Sequence, residues 1–426
     1  MKKAFCSMRW AIALVILIVF TGLTGFTHKG LASQLTNDPE VVLPKTSNPT
    51  LASPIISDPM LASPIQFQMP HTLTDPKQND DTTKKTTFLR PSVWGMEYLR
   101  NMAAKWALGE SIVISLIGDS WTDGVHSIYN PLREAIGKTQ KVSSPGYTSA
   151  NTQLFPPAGI IRKRAGLWIN TRIKYGKGPD AAQAMSYGAG AILFLATKNM
   201  GEHKYRVHYL QKPNGGVFAI ESGSPKRIVN TDGPYEYSVI EVTGLNTVKL
   251  VTSSANVIIF GIDVLADQKA SFVINKLGNG GAGAARFNRI PESMFSKSHQ
   301  ELQTDLAIII LGINDKAYGI PPEMFKNQVE NIARRVLKAR PRSDILLIGA
   351  GPSKNGSRYS TASYNNELFQ LALQNRWGFI DLHRFLGSLS EVTERGLYHD
   401  QYHPNIEGGK IIGKIIYNYA FRPLLE

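Results

Sequence analysis

From residue 112 onward, short, largely apolar and β-branched runs recur at 112–117, 271–275, 306–311, 345–348 and 378–382. Strands covered on both faces need that pattern, as in a parallel sheet. Apolar positions with helical spacing lie between and around them, at 96–108, 130–136, 323–339, 364–374 and 405–419. The alternation predicts a three-layer α/β domain built on a five-stranded parallel sheet.

One gap breaks the rhythm. Between Ile117 and Ser271 lie 153 residues, far more than a crossover helix needs and too many for a structureless loop. Within it, 205–210 and 217–220 flank the turn sequence Pro213, Asn214, Gly215, Gly216, a hairpin signal. Further strands are expected at 237–242, 248–252 and 257–264, so the gap is read as an inserted β-sandwich of jelly-roll type. The expected organisation is 91–156 with 269–426 for the α/β domain and 157–268 for the insert.

Before the first strand the pattern differs. Lys2, Lys3 and Arg9 precede an apolar run from Trp10 to Phe20 that weakens towards Phe26. It is shorter than the ~20 residues of a comfortable span, which favours a secretory signal at 1–32, with cleavage after Ala32. Left uncleaved, 10–26 serves as a membrane tether. Either way the chain is expected outside the cytoplasm, in the periplasm or cell envelope. Residues 33–90 are rich in Pro, Ser, Thr, Asp and Asn and read as a flexible linker.

Composition changes this picture little. The net charge is +14, and residues 1–90 hold nine Lys and Arg against six Asp and Glu, leaving +11 on the rest. The excess favours anionic partners, but no zinc-finger spacing or RNP-like run supports nucleic acid. Arg162, Lys163, Arg164, Arg172, Lys174 and Lys177 cluster at the start of the insert, where a solvated face is expected rather than a glycan-binding strip. Cys6 is the only cysteine, so a processed chain has neither a disulfide nor a thiol nucleophile.

The loops after the apolar runs carry the candidate chemistry. Ser120 follows the first strand in a GDS turn; alone, it is most simply a helix N-cap. The second strand leads into Gly278, Gly280, Gly281 and Gly283, the third into Gly312, Asn314 and Asp315, and HDQYHPN precedes the last helix with Asp400 and His403. Acyl transfer needs a hydroxyl, a base, a group that orients the base, and donors for an oxyanion. All four are present. Asp119 is expected to bond the local backbone, Asp315 to be structural and Lys316 to be solvated, while His126 has no visible partner. Asp400 and His403 can ligate a metal in principle, but no further His or Cys cluster is seen to complete a site; neither metal nor cofactor is expected.

In order, GDS at 118–120, the glycine block at 278–283, GIND at 312–315 and DQYH at 400–403 resemble the four blocks of the SGNH (GDSL-type) hydrolases. The resemblance covers about 91–426 and implies a flavodoxin-like three-layer fold. It implies Ser120 as nucleophile, Asp400 and His403 as the rest of the triad, and the Ser120 N–H, Gly281 and Asn314 as the oxyanion hole. Lys276 stands where the family usually has Asn. With its insert, the chain looks like the subgroup containing peptidoglycan O-acetylesterases, whose β-domain resembles family 35 carbohydrate-binding modules.

The function so implied is a serine esterase that removes O-acetyl groups from an envelope polysaccharide, most of all peptidoglycan. Its activity is expected to fall as pH drops through the His403 pKa, about 6.5 for an unperturbed imidazole. One rival is a polysaccharide O-acetyltransferase using the same acetyl-serine. The other is an inactive carbohydrate-binding or scaffold protein.

Overall fold

The computed structural model describes residues 90–425 apart from 125, 173–175, 199–200, 223–224, 266–270 and 355. Residues 1–32, where an export segment is expected, and all but the last residue of the expected linker lie outside the described residues. Among the described residues, no helix is long and apolar enough to cross a membrane.

The five expected parallel strands form one sheet, in the order Gly378–Asp381, Asp344–Gly349, Leu306–Ile310, Ile112–Gly118, Phe272–Gly278. Two short strands extend it. Val93–Trp94 adds an antiparallel edge beside Gly378–Asp381, and Val142–Ser144 a parallel one beside Phe272–Gly278. Neither carries enough apolar sequence to announce itself.

Strand periodicity divides the side chains between two cores. Ile117, Leu277, Ile309, Leu347 and Phe379 stand in one row and pack on Phe325, Val329, Ile332 and Val336 of helix Pro322–Ala339. Their neighbours Leu116, Ile308, Ile348 and Ile380 face the opposite layer, with Leu132 and Ile136 of helix Tyr129–Gly137 and Ile412 and Ile416 of helix Ile406–Ile416. Helices on both faces explain why these strands lack polar alternation.

Between Gly146 and Val264 the chain forms two further antiparallel sheets. Leu193, Leu195, Phe218 and Leu250 of the five-stranded sheet share a core with Tyr205, Val207, Ile259 and Ile262 of the six-stranded one, which makes a sandwich. The expected hairpin is absent. His203–Gln211 pairs with Glu236–Gly244 and Ile258–Val264, whereas Val217–Glu221 pairs with Arg227–Asn230 and Thr247–Thr252 in the other sheet. The Pro-Asn-Gly-Gly turn therefore carries the chain from one sheet to the other.

The sandwich and the α/β layer are continuous in one core, where Tyr147, Ala181, Leu210, Tyr237 and Phe260 join Leu277, Phe287 and Phe295. A polar clamp adds to this, since Asn279 Nδ2 donates to the carbonyls of Asp180 (2.9 Å) and Ala181 (3.1 Å).

Candidate active site

Strand register brings the first three motifs together. Gly118 is level with Gly278 on one side and Ile310 on the other. The turns holding Ser120, Gly281 and Asn314 therefore leave the sheet at one height, at its carboxyl edge. Glycine is required at both strand ends. A Cβ on Gly118 would lie 2.2 Å from Thr122 Oγ1 and 2.7 Å from the Ile310 carbonyl, and one on Gly278 would lie 2.4 Å from the Asp123 nitrogen. Without these close approaches the short helix Ser120–Asp123 could not sit on the strand ends.

Asp119 caps that helix, its Oδ1 accepting from the Trp121 N–H at 2.9 Å. The group is fully buried, and burial, with the nearby Asp315 carboxyl, pushes its pKa up to about 7 against that hydrogen bond. Its local-backbone role is the one expected from sequence.

Ser120 Oγ lies 2.9 Å from His403 Nε2, and His403 Nδ1 lies 2.8 Å from Asp400 Oδ2. Burial raises the Asp400 carboxyl, but hydrogen bonds from the His403 ring and from the Tyr402 and His403 N–H groups outweigh it and hold the pKa below its usual value. An ionised carboxylate only accepts, so the imidazole proton belongs on Nδ1 and the Nε2 lone pair faces the serine. Ser120 and a His–Asp pair 283 positions further on thus form one directed chain of hydrogen bonds.

Asn314 lies in helix Ile313–Ala317, and its Nδ2 donates to the Ala282 carbonyl at 3.0 Å. Gly281 has φ +75° and open space where a Cβ would stand. Its carbonyl accepts from the Tyr318 hydroxyl at 3.0 Å. Asp315 Oδ1 accepts from the Ala284 N–H at 2.9 Å, which fixes the glycine loop against the Asn314 helix. Burial raises this carboxyl to about 6.

Other residues depart from expectation. Lys316 is not solvated: it is buried, and its ammonium donates to the Ser353 carbonyl and hydroxyl and to Thr361 Oγ1. Burial without a carboxylate partner lowers its pKa to about 8. The basic cluster is not a uniform solvated face either. Arg162 donates to the carbonyls of Ser149 and Leu154, and Arg164 bonds Asn170 Oδ1 and lies over the Trp168 ring. Residues 173–175 lie outside the described residues. His126 is exposed.

Three contributors escaped sequence reading. Lys276, in the position of the family's Asn, forms a buried 2.6 Å ion pair with Asp123 and donates to the Phe155 carbonyl at 2.9 Å. Trp121 ties the serine helix to the histidine loop through the Tyr402 carbonyl. His399 stacks on His403, with ring centroids 5.6 Å apart and planes at 14°. It brings a third potential ligand atom to within 4.8 Å of those of Asp400 and His403, a neighbour that the expectation of no further His or Cys cluster passed over. The four-residue spacing in HDQYH was the available signal.

The sheet order is that of an SGNH-type α/β fold, with the four motifs gathered at its carboxyl edge. Residues 262–411 match the GDSL-like Lipase/Acylhydrolase family model. The match begins in the last strand of the sandwich; the insert parts Ser120 from the other blocks. No curated protein sequence matches the chain. Among solved structures, a peptidoglycan O-acetylesterase is similar over 76% of this chain and 93% of its own, at 18% identity and TM-score 0.62. Protein YXIM from Bacillus subtilis (15% identity, 65% of this chain and 92% of its own) and a family two carbohydrate esterase from Cellvibrio japonicus (14%, 62% and 100%) have TM-scores of 0.31 and 0.28.

Proposed function

We propose that the chain is a serine esterase that removes O-acetyl groups from an exported polysaccharide, peptidoglycan first among them. The observation that carries this is the hydrogen-bonded line from Ser120 through His403 to Asp400, at 2.9 and 2.8 Å. The fold shared with a peptidoglycan O-acetylesterase supports the substrate class, and so does a β-sandwich clamped to the glycine loop through Asn279.

As Ser120 Oγ attacks the acetyl carbonyl, His403 Nε2 takes its proton and Asp400 stabilises the imidazolium. The Ser120 and Gly281 N–H groups and Asn314 Nδ2 receive the oxyanion. The imidazolium then protonates the departing sugar hydroxyl, which leaves acetyl-serine. Water, deprotonated by His403, releases acetate and restores the serine. The sandwich holds the glycan beside the site, and the basic, apolar N-terminus directs the chain to the cell envelope or tethers it there.

The test is acetate release from O-acetylated peptidoglycan by the full chain, beside Ser120→Ala, with and without a sugar acceptor. Serine-dependent release into water is the expected result. Serine-dependent transfer to the acceptor with little release would replace this reading with a transferase. A well-folded protein inert on acetylated glycans would leave a binding module.

A further inference from the structure

Three side chains at the exposed end of the triad bring potential metal-ligand atoms close together. Asp400 Oδ2 lies 2.8 Å from His403 Nδ1 and 3.5 Å from His399 Nε2. The donor atoms of all three residues fall within 4.8 Å of one another. Around a tetrahedral ion with bonds of about 2.0–2.2 Å, ligand atoms stand about 3.3 Å apart. Two of the three pairs are already within about half an ångström of that spacing.

The hydrogen bonding of His399 strengthens the case. Its Nδ1 lies 3.3 Å from the Pro404 carbonyl, an acceptor only, so the Nδ1–H donates there. In the tautomer that donates there, the lone pair of Nε2 faces Asp400 Oδ2 across 3.5 Å. A cation between them satisfies both. A backbone carbonyl on the far nitrogen is also how metal-ligating histidines are usually held. The group is open to solvent, with the His399 side chain 60% and that of Asp400 43% exposed.

We propose that His399, Asp400 and His403 form a binding site for a divalent transition-metal ion of the zinc type, and that its occupation switches the serine off. Imidazole and carboxylate ligands suit zinc, cobalt, nickel and copper rather than calcium or magnesium. To ligate through Nδ1, His403 gives the metal the lone pair of that atom, and its single proton moves to Nε2. Nε2 then has no lone pair for the Ser120 proton. Asp400, occupied by the ion, no longer orients the base. Metal binding and serine activation therefore exclude each other, and a chelator restores the free triad.

The effect on turnover rests on the proposed role of His403; the binding does not, and the experiment separates the two. Full chain and His399→Ala are titrated with zinc chloride in a non-chelating buffer at fixed pH, following p-nitrophenyl acetate hydrolysis, each protein against its own zinc-free rate. In parallel, cobalt(II) binding is followed by its visible absorption, which needs no activity. Zinc should inhibit the natural chain, EDTA should reverse it, and His399→Ala should raise the half-inhibiting concentration by at least about 10-fold, the loss that even an outer-shell partner causes. The cobalt band should weaken in step. Equal inhibition of both proteins would overturn the site, as would a cobalt spectrum unchanged by the substitution. If the chain hydrolyses no ester, the cobalt titration still decides.

Discussion

The indole N–H of Trp121 donates to the main-chain carbonyl of Tyr402 at 2.8 Å, across 281 positions of sequence. It joins the residue after the candidate nucleophile to the residue before the candidate base. The ring is buried and packs edge-on against Tyr398, so the two loops cannot drift apart without breaking a partly buried hydrogen bond. Trp121→Phe keeps an aromatic ring there and removes the donor. Turnover of p-nitrophenyl acetate should fall about 10- to 100-fold with little change in KM, because small misplacements of reacting groups are that costly. A lower melting temperature with unchanged kcat would give Trp121 a packing role only.

Asp400 does two jobs with two oxygens. Oδ1 accepts from the Tyr402 and His403 N–H groups, both at 2.7 Å, which shapes the turn, while Oδ2 faces the imidazole. Asp400→Asn has the same shape but offers His403 either an amide donor or a weaker acceptor, so the wrong tautomer becomes competitive. We expect kcat to fall by about 10⁴-fold with folding preserved, from the behaviour of such triads generally. Steady-state kinetics beside a circular dichroism melt check this; a loss below tenfold would mean that Asp400 does not set the tautomer.

Much of this site could be read from sequence because its motifs are local. GDS, the glycine block and GIND each follow a strand within a few residues, and parallel register aligns their exits. Asp400 and His403 are only three residues apart. What escaped depends on long-range packing. Nothing in the serine loop says that Trp121 reaches Tyr402, nor that Lys276 on one strand will be buried against Asp123 on a neighbouring turn. Lys316 looked solvated because a lysine in a polar turn usually is, and its hydroxyl partners lie 37 and 45 residues away. The turn after Gln211 was recognised, but turn chemistry reports a reversal of the chain and not which sheet receives it.

The Lys276 and Asp123 pair should be a stability determinant. Both side chains are about 95% buried, and Asp123 Oδ1 also accepts from the Phe155 N–H at 3.0 Å, so the pair holds both main-chain groups of Phe155. Lys276→Met leaves a buried carboxylate without its cation and should cost about 3–5 kcal/mol in denaturant unfolding. Adding Asp123→Asn removes the orphaned charge and should recover part of that loss. If the double variant were no more stable than Lys276→Met, the destabilisation would come from the Phe155 loop rather than from the unpaired carboxylate.

Asp119 should make stability depend on pH in a direction opposite to that of a salt-bridged carboxylate. Its folded pKa is raised from 3.8 to about 7, chiefly by burial, so between those values the folded state holds a proton that the unfolded chain has released. The contribution is fully present below the unfolded pKa, declines as pH rises, and is gone above about 7. Asp119→Asn mimics the protonated form and still accepts the Trp121 N–H, without the titration. The stability of the natural chain minus that of the variant should therefore fall by about 3 kcal/mol between pH 4 and pH 7 and level off above about pH 8. Parallel denaturant melts across that range measure it. A difference that stayed flat, or rose with pH, would show that the folded protein keeps Asp119 ionised.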